Sequence, residues 1–211
     1  MLYFIYCIWY NLNGDNMLLK KDIIQDGHPT LRKRAKEVKL PLSKENFQIL
    51  KMMMEYIENS QDDSLVEKYN LRPSVGLAAP QINRSLKMFA MKTMDEKFEK
   101  LHRYAILNPK IISYSEANTY LPGGEGCLSV DEEITGIVKR SKKIRARVNL
   151  VDLETKNIEK KVIKLSGYPA IIFQHEYDHL LGIMFTDKIE KTPPTCQPIV
   201  FKTPEVAEEK E

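Results

Sequence analysis

The segment His175-Glu176-Tyr177-Asp178-His179 constrains this chain more than any other. Two histidines four residues apart share a face when the backbone is helical, because positions i and i+4 then lie one above the other. Both imidazoles can reach one metal ion, and Glu176, beside the first, can lean toward a water held there. Tyr168, Ile171 and Ile172 stand on the same stripe, up to two turns before His175. The face that would hold a metal is therefore also one that packs on a core, and a dry site strengthens an ion's field. Such a pair of histidines also occurs on helices that bind nothing, so the motif alone leaves the question open.

Two further segments bear on it. In Glu125-Gly126-Cys127-Leu128-Ser129 a cysteine follows Gly123-Gly124. Glycine-rich backbone permits close approach to a ligand, and a thiolate suits a borderline-soft divalent metal. Two histidines and one cysteine leave a coordination position open, the layout of a catalytic site. A lone buried thiol that only packs is the ordinary alternative. In Ser74-Val75-Gly76-Leu77-Ala78-Ala79-Pro80-Gln81 small residues cluster around one amide side chain. Gln81 could donate to a developing oxyanion without adding charge, although, read alone, the segment is better explained as a tight turn beside a packed strand.

Around these segments the pattern is that of one α+β domain. Phe47, Leu50, Met54 and Ile57 recur at helical spacing after Ser43, a good N-cap. Residues 60–74 are polar and read as loop with about one helical turn. Leu86 to Met91, Tyr104 to Leu107 and Lys110 to Tyr114 read as short strands. Ile144, Ala146, Val148 and Leu150 alternate with polar residues, and Val162 to Leu165 follows a polar turn, which predicts an antiparallel hairpin. Tyr168 to Leu181 reads as a helix ended by Gly182. The elements do not alternate as βαβ units, so antiparallel sheets packed around a central helix carrying the HExxH motif are expected.

The chain has 211 residues, enough for one core, and 32 basic against 29 acidic side chains. Basic runs such as Lys139-Arg140-Ser141-Lys142-Lys143 are short, so no direct nucleic-acid binding is expected. Three scattered cysteines suggest no disulfide scaffold. The apolar opening, residues 1–16, is too short to span a bilayer and lacks a cleavage signal. It is expected to lie outside the fold, with Met17 as the natural start. Residues 17–190 are expected to form the catalytic domain and 191–211 a mobile tail. No membrane binding is expected.

Taken together, the three segments resemble, in order, the peptide deformylase signatures GxGLAAxQ, EGCLS and QHExDHL, here Ser74–Gln81, Glu125–Ser129 and Gln174–Leu180. The polar stretch before Ser74 resembles that of the longer, Gram-positive-type subclass. The resemblance implies a metallohydrolase that removes the formyl group from N-terminal formylmethionine of new polypeptides in the cytoplasm, releasing formate. By motif position, Cys127, His175 and His179 correspond to the metal ligands and Glu176 to the general acid/base. Gln81 and the Leu128 N–H correspond to the groups that meet the developing charge. Gly76, Leu77, Gly126, Ile171 and Ile172 correspond to substrate-binding positions. Fe²⁺ is the metal implied, with Zn²⁺, Ni²⁺ or Co²⁺ as substitutes. The partners implied are N-formylmethionyl peptides and nascent chains, with transient ribosome contact. Asp178 is expected to pair with Arg140. One departure is Ser74 in place of glycine; a positive φ there would cost about 1–2 kcal/mol. An HExxH endopeptidase would need a third ligand downstream, and no histidine follows His179. A structural metal would need a fourth protein ligand.

Overall fold

Helix α1 (Lys44–Asn59) begins where the sequence provides a cap: the Ser43 hydroxyl accepts from the Asn46 N–H at 3.2 Å. Its apolar stripe, including Leu50, Met53, Met54 and Ile57, is buried. Helix α2 (Asp63–Tyr69) is longer than the single turn expected. The Asp62 carboxylate accepts from the Ser64 and Leu65 N–H groups, and Asn70, at φ +49°, ends the helix. The computed structural model describes residues 17–190, 192 and 194–202. The opening segment, expected to stand apart from the fold, lies outside the described residues.

Five strands form one antiparallel sheet: β1 (Gly76–Ala78), β2 (Met88–Met94), β3 (Leu101–Tyr114), β7 (Lys143–Val151) and β8 (Ile158–Ser166), in spatial order β1-β2-β3-β7-β8. Two small antiparallel pairs flank it, β4 (Asn118–Thr119) with β6 (Arg140–Ser141) and β5 (Ile137–Val138) with β9 (Ile189–Glu190). The class is the expected one. Strand β3, however, is one long strand rather than two. Its register shifts between Leu107 and Lys110, where Pro109 has no N–H to offer the ladder. Asn108 absorbs the irregularity at φ +48°, and its amide clasps the Val38 N–H and C=O at 2.8 and 2.9 Å.

The sheet buries both faces where helices cover it. Leu77, Met88, Ala90 and Leu107 join the cluster under α1. Ala78, Phe89, Met91, Ile106, Ile144, Ala146 and Val148 join the cluster under α3 (Tyr168–Leu181). Phe173 of α3 meets Phe89 edge to face at 5.1 Å. Gly182, at φ +76°, closes α3 as expected. The described part of the expected tail is instead tied to the domain. Ile199 N–H donates to Tyr120 C=O and Lys202 N–H to Glu96 C=O, each at 2.9 Å. Ile199 is buried, and the Phe201 ring meets Tyr168. Apolar burial and main-chain pairing outweigh the segment's polar composition. No helix among the described residues is long and apolar enough to cross a membrane.

Candidate functional site

Helix α3 places His175 and His179 on one side, their rings 5.0 Å apart. The loop between β4 and β5, held at its ends by the two small strand pairs, brings Cys127 against them. Cys127 Sγ lies 3.3 Å from His179 Nε2, and one ligand atom from each of the three residues falls within 4.8 Å of the others. A chain separation of 48 residues is thus closed by the fold.

The surroundings fix how these donors face. Glu125 Oε2 lies 2.9 Å from His175 Nδ1, which leaves His175 Nε2 free for a ligand. Glu125 is itself gripped by Arg140, Nε to Oε1 at 2.7 Å and Nη2 to Oε2 at 2.8 Å. Arg140 also donates to Asp178, which accepts from Lys188 Nζ at 2.6 and 2.8 Å. The expected Arg140–Asp178 pair is present. The role of Glu125 was not read from the sequence, although its place two residues before Cys127 was the available signal. Burial would raise the Glu125 carboxyl, but hydrogen bonds from Arg140 and His175 outweigh it and hold it at about 2.

Burial pushes the Glu176 carboxyl up to about 7, and the His175 and Arg140 charges offset this only in part. That is the range a proton carrier needs near neutral pH. Burial lowers both imidazoles. In His175 the hydrogen bonds to Cys127 and Glu125 prevail and hold the ring well above its usual value, whereas His179 stays well below. A divalent cation would take the place of the His175 proton. Glu176 Oε2 and His179 Nδ1 are buried without a hydrogen-bond partner among the described residues. Such orphaned groups call for a ligand or water. Two imidazoles and a thiol that converge, with His175 oriented from behind by Glu125, fit a divalent metal.

A cleft of about 300 Å³ opens onto this group. Ser74, Gly76, Gln81, Gly126, Cys127, Leu128, Ile171, Ile172, His175 and Glu176 all line it. Gln81 Oε1 accepts from the Ala78 N–H at 2.8 Å, which turns Nε2 toward Cys127 Sγ and Ser129 Oγ, both 3.4 Å away. Leu77 does not line the cleft. Strand alternation sends its side chain into the cluster under α1, so its side chain does not wall the cleft as the other expected substrate positions do. Ser74 carries no strain, since its φ is not positive. Its Oγ donates to Gly76 C=O at 2.6 Å and accepts from Gly76 N–H at 3.3 Å. Arg72 and Tyr168, which the sequence did not single out as site residues, also line the cleft.

The chain as a whole is similar to known proteins. Residues 20–194 match the family model described as polypeptide deformylase. A Bacillus subtilis protein named peptide deformylase 2 is 50% identical over 191 residues, covering 90% of this chain and 97% of the relative. The crystal structure of peptide deformylase from Thermotoga maritima superposes with a TM-score of 0.60 at 32% identity, covering 80% of this chain and 96% of that one. A Met-Ala-Ser-bound peptide deformylase of Acinetobacter baumannii gives 0.59 at 27% identity, over 79% of this chain and 96% of that one.

Proposed function

The chain belongs to the polypeptide deformylase family, and on that premise we propose that Cys127, His175 and His179 hold one divalent metal and that Glu176 carries the proton. The reaction is hydrolysis of the N-formyl group from newly made polypeptides. The observation that carries the assignment of residues is the convergence of the three ligand atoms at a cleft walled by Glu176. No carboxylate or fourth protein donor joins that group among the described residues, which leaves a coordination position open. When bound, the ion supplies Lewis-acid polarisation and makes a water more acidic.

The remaining steps belong to the chain's own side chains. Helix α3 is the central helix of the site and presents Glu176 beside the two histidines. The Glu176 carboxylate accepts the proton of the attacking water and returns it to the amine nitrogen as the C–N bond breaks, giving formate and a free N-terminus. Gln81 Nε2 and the Leu128 N–H donate to the formyl oxygen as charge develops there. Ile171 and Ile172 receive the methionine side chain, with Gly76 and Gly126 along the peptide. The formyl carbon bears only hydrogen, so a narrow cleft admits it and excludes bulkier acyl groups. Fe²⁺ is the native metal in this reading, with Zn²⁺, Ni²⁺ or Co²⁺ able to replace it. Residues 17–190 form the catalytic domain. The protein acts in the cytoplasm on nascent chains, with transient ribosome contact.

The test is formate release from formyl-Met-Ala-Ser by protein purified without oxygen, with metal measured on the same sample. Rapid release at about one metal per chain is expected. Full metal occupancy without formate would overturn the reading.

A further inference from the structure

Strands β3, β7 and β8 hold eight of the chain's 32 Lys and Arg side chains but one of its 29 acidic ones. Along β7, Ile144, Ala146 and Val148 face α3, so Lys143, Arg145 and Arg147 face the other way. Register adds their neighbours. Lys164 lies directly opposite Arg145, Lys160 opposite Asn149, and Lys110 of β3 opposite Arg147. Helix α1 covers this face chiefly over β2 and β1 and touches β3 less, and the six cations are exposed.

Like charges directly opposite across an antiparallel pair destabilise a sheet. Here both Arg145–Lys164 and Arg147–Lys110 are such pairs, and no described carboxylate forms a salt bridge with any of the six. The acid on these strands, Glu159, is taken by Lys161 at 3.4 Å. The array is spread over three strands, so it does not converge on a single anion. It fits a partner that is itself an extended array of charge. Val162, opposite Arg147, is exposed among the six cations, and Leu101, Ile112 and Tyr114 are exposed elsewhere on β3, so the array itself is cationic rather than apolar. Six of the 32 Lys and Arg side chains of a protein whose net formal charge is +3 thus share one sheet face.

We propose that the outer face of β3-β7-β8, through Lys110, Lys143, Arg145, Arg147, Lys160 and Lys164, docks on the phosphate backbone of double-helical RNA. Phosphate contacts position a protein without reading sequence, and double-stranded RNA is recognised largely by backbone and shape. The face lies on the side of the sheet away from α3, so docking there leaves the helix that carries His175, Glu176 and His179 uncovered. This proposal stands apart from the assignment of the reaction.

The test is fluorescence anisotropy of a labelled 20-base-pair RNA duplex of arbitrary sequence, titrated with the metal-loaded full chain at several salt concentrations. Binding that weakens steeply with salt is expected. The triple variant Arg145→Glu/Arg147→Glu/Lys164→Glu should lose binding by tenfold or more, on the order expected for several lost phosphate contacts. The milder Arg145→Gln/Arg147→Gln/Lys164→Gln should lower the salt slope by about three. Both variants should hydrolyse formyl-Met-Ala-Ser at the wild-type rate, and the Gln variant, relieved of its like-charge pairs, should melt no lower than wild type, which separates lost binding from lost folding. An unaltered affinity in the folded triple variant overturns the proposal, as does a wild-type chain that ignores RNA at low salt. Capture by phosphatidylglycerol vesicles without RNA binding overturns it in favour of a membrane surface.

Discussion

Gly76 is where the cleft is tightest. A Cβ there would stand 2.3 Å from Glu176 Oε1 and 2.7 Å from its Cδ, inside any permitted contact. Glycine is required by the neighbour and not by the backbone angle, since the φ of Gly76 is not positive. Gly76→Ala must therefore displace the Glu176 carboxylate. A misplacement near 1 Å costs about a hundredfold in rate, so kcat for formyl-Met-Ala-Ser should fall by roughly that factor. Metal content, measured by elemental analysis, should be unchanged, because Glu176 is not among the three convergent donors. Glu176→Gln keeps the shape and removes the proton carrier. Turnover should drop by about 10²–10⁴ with metal retained. A metal-replete Gln variant with near-normal turnover would remove Glu176 from the role. These residues were legible because each sits at a fixed place within a short motif. Glu125 was less so, since its partners Arg140 and His175 are 15 and 50 residues away.

Helix α2 shows how one carboxylate sets an element. The Ser64 hydroxyl and the Leu65 N–H lower the Asp62 carboxyl below its ordinary value of 3.8. A group whose folded pKa is depressed contributes its stability in full above the unfolded value and loses it as pH falls through the folded value. Amide-exchange protection in α2 should therefore be flat above about pH 5 and decline once the pH drops below the ordinary aspartate range. Asp62→Asn should keep the cap and abolish that decline; an identical decline in the Asn variant would sink the assignment. The sequence suggested one turn here because 60–74 is mostly polar and Leu65, Val66 and Tyr69 make only a short stripe. The cap was there to be read, but composition hid it. The same limit explains β3, where Asn108-Pro109 looks like a break. Only the packing of Asn108 against Val38 carries the strand through it.

At the scale of the molecule, Arg140 is the joint. From β6 it ties the cysteine loop, through Glu125, to α3, through Asp178, and its side chain is almost wholly buried. Breaking a buried pair by removing one partner costs roughly 3–5 kcal/mol, because a charge is left uncompensated. Arg140→Met should lose about that much in urea unfolding and should also release metal more readily, since Glu125 would no longer hold His175 in place. A stability within 1 kcal/mol of wild type would show that Lys188 and His175 suffice for the two carboxylates. The sequence by itself marked the residues proposed as the reaction centre, because HExxH, a cysteine in a glycine-rich loop and Gln81 after Ala78-Ala79-Pro80 are short local patterns that, in order, resemble the family's signatures. It determined the α+β class through periods of 3.6 and 2. What it left open required contacts between distant segments. Only the tertiary structure decided that Leu77 turns into the core, that residues 199–202 are fastened to the domain, and that six cations from three strands meet on one face. Strand pairing sets which residues become neighbours, and no linear window contains that information.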